Sequence, residues 1–170
     1  MGNEPVITVS DTGPLLHLTE IACGELLYLF EKIFISPVVA EEFNKHNKDK
    51  SLNVLAYNNI HTMAVDQLDV QEFIADYELK DLHSGEVECL FICKKNSINL
   101  ILTDDLAVRD IARKLEITAI GSLGVILKSY NNKFLNFHEA EKHILNLYEK
   151  SSLYVTKTII DLVLEKLRKY

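Results

Sequence analysis

The sequence predicts an α/β fold, with a doubly wound parallel sheet flanked by helices and a helical C-terminal tail. Two features indicate this class. Short apolar runs of strand length alternate with longer stretches in which apolar residues recur at helical spacing. In addition, the run at residues 99–103 is almost entirely apolar, which is typical of a parallel strand covered on both faces.

The first half of the chain alternates between strands and helices whose ends carry turn or capping residues. The strand at residues 6–9 ends at a polar stretch in which Pro14 suits the start of a helix. Ser36 and Pro37 supply a helix cap and a helix-starting proline after the second strand. We predict strands at residues 6–9, 33–35 and 60–65, and helices at residues 14–18, 26–30, 37–43 and 66–78.

The second half continues this alternation and then becomes entirely helical. Ser84 is a candidate N-cap, Asp104 and Asp105 end the apolar strand, and Gly121 with Ser122 closes the last strand. No strand signal follows that point. We predict strands at residues 99–103 and 117–120, and helices at residues 85–95, 106–115, 123–130, 137–149 and 156–169.

The length and composition suit one globular domain. The 170 residues are 48% hydrophobic, which is enough to build a core. We expect a single domain over residues 1–170, with residues 134–170 as a helical C-terminal extension. Eighteen Lys and Arg against 25 Asp and Glu give a net charge of −7, which excludes a basic surface over the whole chain but not a local basic rim.

The N-terminal residues, the apolar runs and the cysteines indicate the compartment. Glu4 stands where a secretory leader would carry basic residues, and no apolar run reaches the length of a bilayer span. We therefore expect a cytoplasmic protein without a membrane segment. Cys89 and Cys93 lie four residues apart in an apolar helix, so we expect buried thiols rather than a disulfide or a zinc site.

Acidic residues follow several of the predicted strands. The carboxyl ends of parallel strands meet at one edge of a sheet, which is where α/β folds place their ligands. Carboxylate oxygens that converge without Cys or His suit Mg²⁺ or Mn²⁺. The candidate ligands are Asp11, Glu41, Glu42, Glu86, Asp104 and Asp105.

Each of these acids also has a simpler structural interpretation. Asp is a favoured helix cap, and the helix dipole stabilises acids in the first turn of a helix. Capping accounts for one acid per turn but not for the adjacent Asp104 and Asp105, because two close carboxylates repel unless a cation or a helix terminus offsets them. The pattern as a whole therefore favours a cation site.

Four short motifs, in this order, resemble those of the PIN domain. They are VSDTGPL at residues 9–15, SPVVAEEF at residues 36–43, SGEVE at residues 84–88 and TDD at residues 103–105. The similarity is to the small prokaryotic PIN proteins that carry Gly-Glu at the third acidic motif and Asp-Asp at the fourth. It continues through residues 121–125 and, more loosely, through the two C-terminal helices, so it covers nearly the whole chain.

Carried over by position, the resemblance implies a set of catalytic and metal-binding acids. At the second motif the family's acid precedes an aliphatic or aromatic residue, which favours Glu42 over Glu41 because Phe43 follows it. Asp104 takes a position that varies among PIN proteins and is implied only as an auxiliary ligand. The implied catalytic residues are Asp11, Glu42, Glu86 and Asp105, and the implied metal ligands are these four together with Asp104.

Three small residues accompany the implied acids. Thr12 matches the small hydroxyl residue that follows the first Asp of the family, and Thr103 matches the hydroxyl residue that precedes the fourth motif. Gly13 departs from the family pattern, in which a second Ser is more usual. We expect no consequence for metal binding from that change.

The resemblance implies a metal-dependent endoribonuclease that hydrolyses RNA phosphodiester bonds with Mg²⁺ or Mn²⁺. Many small PIN proteins are VapC-type toxins, so an antitoxin protein is an implied partner. The apolar residues of the two C-terminal helices, together with the resemblance, favour a homodimer. A second ion or nearby basic residues would complete the charge compensation, and the candidate basic residues are Lys94, Lys95, Arg109, Arg113 and Lys114.

Two other classes of protein share part of the first acidic motif. Residues 11–13 form the Asp-Thr-Gly triplet of aspartic proteases, but that fold is all-β and needs two triplets. A haloacid-dehalogenase-like phosphatase needs a second Asp two residues after the first, where this chain has Gly13. The alternative that stays open is a PIN-fold protein that binds nucleic acid or protein without cleaving, and a divalent-metal titration separates the two.

Overall fold

The fold is built on a five-stranded parallel sheet, as the sequence predicted. The computed structural model describes residues 6–169. The strand order is β3-β2-β1-β4-β5, so the chain winds outward from the central β1 in both directions. Val9 on β1 pairs with Phe34 on one side and with Ile101 on the other. The strands are β1 (Ile7–Ser10), β2 (Lys32–Ile35), β3 (Ile60–Thr62), β4 (Leu100–Leu102) and β5 (Thr118–Ile120).

Helices flank this sheet and continue beyond the last strand. The helix α4 packs against β1 and β4, and α1 packs against α2 and α6. The core side chains Val9, Ile33 and Ile101 are fully buried in the middle of the sheet. The helices are α1 (Thr12–Glu20), α2 (Pro37–His46), α3 (Gln67–Tyr77), α4 (Ser84–Lys95), α5 (Leu106–Lys114), α6 (Ser122–Asn131), α7 (Phe137–Lys150) and α8 (Lys157–Arg168).

Three local expectations need correction. The helix expected at residues 26–30 is a 3₁₀ helix over Gly24–Leu29. Asn59 Nδ2 donates hydrogen bonds to the carbonyl oxygens of Leu27 and Phe30 at 3.0 Å each, and the helix ends there. The strand expected at residues 60–65 ends at Thr62. The helix expected to be capped by Ser84 includes Ser84 and has His83 at its N-cap position.

The cysteines are buried thiols, as expected. Cys23, Cys89 and Cys93 are free and lie in the core. Burial raises the pKa of Cys93 to about 12 and the pKa of Cys89 well above its ordinary value. These thiols therefore stay protonated at neutral pH and act as small apolar side chains.

The two C-terminal helices bury one apolar stripe and expose another. Ile144 and Leu147 on α7, and Leu164 on α8, are buried, and α7 also packs against α6. Tyr148 and Leu162 face solvent on the same helices. Within residues 6–169, none of the helices is long and apolar enough to cross a membrane.

Candidate metal and nucleic-acid site

The acidic residues lie at the carboxyl edge of the sheet. Asp11 directly follows β1, and Asp105 lies three residues after the end of β4. Asp11 is the N-cap of α1, where its Oδ1 accepts a hydrogen bond from Thr12 N at 2.7 Å. Only 8% of Asp11 is exposed, so its carboxylate is held in the protein interior beside the backbone of α1.

Glu42 reaches this edge from the second turn of α2. Thr12 Oγ1 donates to Glu42 Oε2 at 2.6 Å, which connects Glu42 to the residue that follows Asp11. A Cβ atom at Gly85 would lie 3.4 Å from the same oxygen, so Glu42 faces the first turn of α4. Glu41 is exposed. Of the two neighbouring acids, the structure therefore brings Glu42 to Asp11.

Thr103 links Asp11 to Asp105. Its hydroxyl donates to Asp11 Oδ2 at 3.3 Å and accepts from Asp105 N at 3.2 Å. Asp105 is the N-cap of α5, and its Oδ1 accepts from Val108 N at 2.9 Å. The two threonines thus join Glu42, Asp11 and the backbone of Asp105 in one series of hydrogen bonds.

Glu86 enters the group from the first turn of α4. Its Oε2 accepts a hydrogen bond from His83 N at 2.9 Å, which satisfies a backbone donor at the start of the helix. This capping bond fixes the side chain of Glu86 on the turn that faces Glu42. Glu86 is therefore both a capping residue and a member of the acidic group.

Burial and, to a smaller extent, mutual repulsion make these carboxylates hard to ionise. The pKa of Asp11 is raised to about 6, chiefly by burial; the charges of Glu86 and Glu42 contribute to the rise, and the hydrogen bonds from Thr12 and Thr103 oppose it. Burial also raises the pKa of Glu86, and Asp105 and Glu42 add to that rise. A group of acids in this condition is stabilised by any cation that enters it.

Asp104, next to Asp105, has different partners. Its Oδ1 accepts from Ser122 N at 2.8 Å, and its Oδ2 lies 2.7 Å from His17 Nδ1 and accepts from Ser122 Oγ at 2.6 Å. Burial raises the pKa of Asp104, but the bonds from His17 and Ser122 outweigh it and hold the pKa below its usual value. Both oxygens are therefore occupied by protein donors that join α1 and α6 to the end of β4.

Sequence reasoning did not find these two partners. Ser122 carries a weak signal, because a Ser after Gly at the start of a helix is a usual first-turn residue. His17 carries none, because it lies in the last turn of α1 and is brought to Asp104 only by the tertiary fold.

The candidate basic residues differ in their relation to the acids. Arg109 Nε donates to the Thr103 carbonyl at 3.2 Å, which anchors this guanidinium beside the site. Arg113 pairs with Asp110, and Lys95 pairs with Asp69, both on exposed surface. Arg109 is therefore the basic residue whose position the site itself fixes.

The oxygen ligands of the acidic group suit a divalent metal ion, but the side chains lie too far apart to bind one in this conformation. Carboxylate oxygens are the ligands that Mg²⁺ and Mn²⁺ prefer. The raised pKa values of Asp11 and Glu86 mean that a cation beside them would stabilise their ionised forms. Within residues 6–169, no three Asp, Glu, His or Cys side chains lie close enough together to hold an ion. Binding would therefore require these side chains to move closer together.

The parallel sheet with flanking helices defines an α/β protein. In this class, ligands bind at the carboxyl ends of the strands, which is where the acidic residues lie. A family model described as a PIN domain matches residues 7–169, so the chain belongs to the PIN-domain family. PIN domains are generally nucleases that use divalent metals. No curated protein matches the chain.

Proposed function

We propose that this PIN domain is an endoribonuclease that hydrolyses RNA phosphodiester bonds with Mg²⁺ or Mn²⁺. The observation that carries the proposal is that Asp11, Glu42, Glu86 and Asp105 lie at one edge of the sheet. Thr12 donates to Glu42 there, and Thr103 bonds both Asp11 and the backbone of Asp105. Carboxylates that serve only as helix caps have no need to be gathered in this way.

Each residue of the site has a defined part in the proposed reaction. The four acids would hold the ion, which lowers the pKa of a bound water and offsets charge on the phosphate. Thr12 and Thr103 orient Glu42 and Asp11 by donating to one oxygen of each. Arg109 supplies positive charge for the phosphate, because its Nε donates to the Thr103 carbonyl and this bond holds the guanidinium near the end of β4.

Asp105 gives the first test, because Asn and Ala separate its charge from its capping bond. Asn is as good an N-cap as Asp, so Asp105→Asn keeps the bond to Val108 N and removes only the charge. We expect Asp105→Asn to abolish RNA cleavage without loss of stability, and Asp105→Ala to lose about 1 kcal/mol of unfolding free energy as well.

The measurement is cleavage of assorted end-labelled RNAs with Mn²⁺, with and without EDTA, together with melting curves of the three proteins. Asp110→Asn is the control, because Asp110 is an exposed acid one turn further along α5 and should leave cleavage intact. Metal-dependent cleavage by Asp105→Asn at the wild-type rate would remove Asp105 from the site.

A second candidate function is a PIN-fold binding module that does not cleave. The open spacing of the acids and the net charge of −7 are the observations that favour it. The cleavage assay distinguishes the two, because a silent module binds RNA or protein and leaves every labelled RNA intact in Mn²⁺.

The proposal includes a homodimer formed through the outer apolar stripe of α7 and α8. Leu145, Tyr148 and Leu162 are exposed there, and a surface of this kind is favourable to cover. We expect a mass twice that of the 19.4 kDa chain in light scattering, and a shift to monomer in Leu162→Lys. Leu68→Lys, which changes a leucine on α3 that is even more exposed than Leu162, should leave the mass unchanged.

Wild-type protein with a monomer mass at every concentration would contradict the dimer.

An antitoxin partner and a cytoplasmic location complete the proposal. Both rest on the resemblance to the family alone. The antitoxin is tested by purifying the tagged chain from its native cells and asking whether a second, small protein co-purifies with it.

A further inference from the structure

An apolar groove lies directly beside the acidic site. It is a cavity of about 430 Å³ between the first turns of α5 and α6 on one side and the α7–α8 connection on the other. Its walls include Leu106, Leu123 and Val155, and Asp104 and Arg109 line the same cavity. A groove of this size holds a small organic group. Arg109, which lines the groove, is bonded to the carbonyl of Thr103, and the hydroxyl of Thr103 bonds Asp11, so the groove and the acids are connected through the end of β4.

Two exposed apolar side chains border the groove. Leu106, the residue after Asp105, is 76% exposed, and Tyr154, in the α7–α8 connection, is 92% exposed. Exposed apolar side chains of this kind are favourable to cover, and an aromatic ring can stack on the flat face of a partner. Within residues 6–169, Tyr154 has no hydrogen bond or ring contact.

The groove offers a positive charge and an aromatic ring to a single strand of nucleic acid. Arg109 supplies the guanidinium, and Asp104, which is negatively charged, lines the same cavity and accepts bonds from His17 and Ser122. An aromatic ring beside a cation is the arrangement with which proteins bind single-stranded nucleic acid, because the ring stacks on a base and the cation contacts the phosphate.

We propose that this groove is a base-binding subsite of the nuclease, in which Tyr154 stacks on a base of single-stranded RNA while Arg109 contacts the adjacent phosphate. The inference rests on the proposed function, since the strand it binds is the strand presented to Asp11 and Asp105. The inference adds that this chain recognises an unpaired base of its substrate.

Stacking can be tested by changing the ring alone. We expect Tyr154→Ala to weaken binding of a short unstructured RNA by about tenfold, and Tyr154→Phe, which keeps the ring, to bind like the wild type. The control is Phe134→Ala, because Phe134 is also an exposed aromatic residue in a loop but lies beyond the C-terminal end of α6, away from Ser122. Tyr154 is exposed, so melting curves of both variants should match the wild type.

The measurement is fluorescence anisotropy with labelled RNA in the absence of divalent ions, repeated with a series of RNAs that each lack one base. For the wild type, loss of one base in the series should weaken binding as much as Tyr154→Ala does. For Tyr154→Ala, loss of that same base should change nothing further, because the ring that it contacted is gone.

The outcomes separate the subsite from the nuclease. Wild-type cleavage of RNA with equal RNA binding by wild type and Tyr154→Ala overturns the subsite and leaves the proposed function standing. A Tyr154→Ala variant that changes from dimer to monomer assigns the groove to a second copy of the chain and also overturns the subsite. Failure of the wild type to bind or cleave any RNA overturns both.

Discussion

Asp11→Asn is expected to abolish RNA cleavage and, at the same time, to stabilise the metal-free protein at about pH 8. The pKa of Asp11 is about 6 in the folded protein, against an ordinary value of 3.8. The folded state therefore holds a proton between these two values that the unfolded state has already lost. This contribution to stability is fully present below about pH 4 and is lost as the pH rises through 6.

The size of this effect follows from the shift in pKa. Ionised Asp11 lowers the unfolding free energy by about 3 kcal/mol above both pKa values. Asn has nearly the same shape and can still accept the bond from Thr12 N, so it removes the charge and keeps the cap. The melting temperature of metal-free Asp11→Asn should exceed that of the wild type by several degrees at about pH 8, and the two should converge near pH 4.

Melting curves of wild type and Asp11→Asn over this pH range, in EDTA, measure the difference directly. Asp110→Asn again serves as the control, because exposed Asp110 should show no such pH-dependent difference. A wild type that is more stable than Asp11→Asn at about pH 8 would mean that Asp11 acts chiefly as a structural cap.

Asp104→Ala is expected to have the opposite consequence, a large loss of stability. The substitution deprives Ser122 N, Ser122 Oγ and His17 Nδ1 of their acceptor in a largely buried place. Unpaired buried donors of this kind lower the unfolding free energy by about 3 kcal/mol or more. Because the pKa of Asp104 is held below its usual value, its stabilisation is present above the ordinary carboxyl pKa and is lost in acid.

The neighbouring Asp105 provides the matched comparison. Asp105→Ala removes a single, partly buried capping bond and should lower the unfolding free energy by only about 1 kcal/mol. Urea titration of both variants near neutral pH measures the difference. Equal, small losses in the two variants would show that Asp104 does not join α1 and α6, and its implied place as an auxiliary metal ligand would then be favoured.

The fold was predictable because its signals are local. Most strands are short, mainly apolar runs between turn residues, and most helices have an amphipathic period, so the order of the elements indicated the parallel sheet. The exceptions are β3, which contains His61 and Thr62, and α4, which is buried on nearly all sides. The 3₁₀ helix at Gly24–Leu29 was not predictable, because its end depends on Asn59, which comes from a distant part of the sequence. The spacing of leucines along the chain gives no information about a hydrogen bond from a residue that is distant in sequence.

The location of the acids was predictable from the sequence, but their hydrogen-bond partners were not. Asp11, Glu86 and Asp105 follow strands or begin helices, Glu42 lies in the second turn of α2, and a parallel sheet brings such positions to one edge. Whether an acid caps a helix or serves a cation could not be read from the sequence, because Asp11 and Asp105 cap helices and also belong to the acidic group. The difference between Asp104 and Asp105 depends on His17 and Ser122, which reach Asp104 from two other elements.

A Mn²⁺ titration followed by the melting temperature tests most directly the claim that these acids form a divalent-metal site. An ion that binds only the folded state raises stability by about 2.7 kcal/mol at a hundred times its Kd. We predict that Mn²⁺ raises the melting temperature of the wild type and of Asp110→Asn, and has little effect on Asp11→Asn or Asp105→Asn. No rise in the wild type, or an equal rise in all four proteins, would contradict the metal site and leave the non-cleaving binding module in its place.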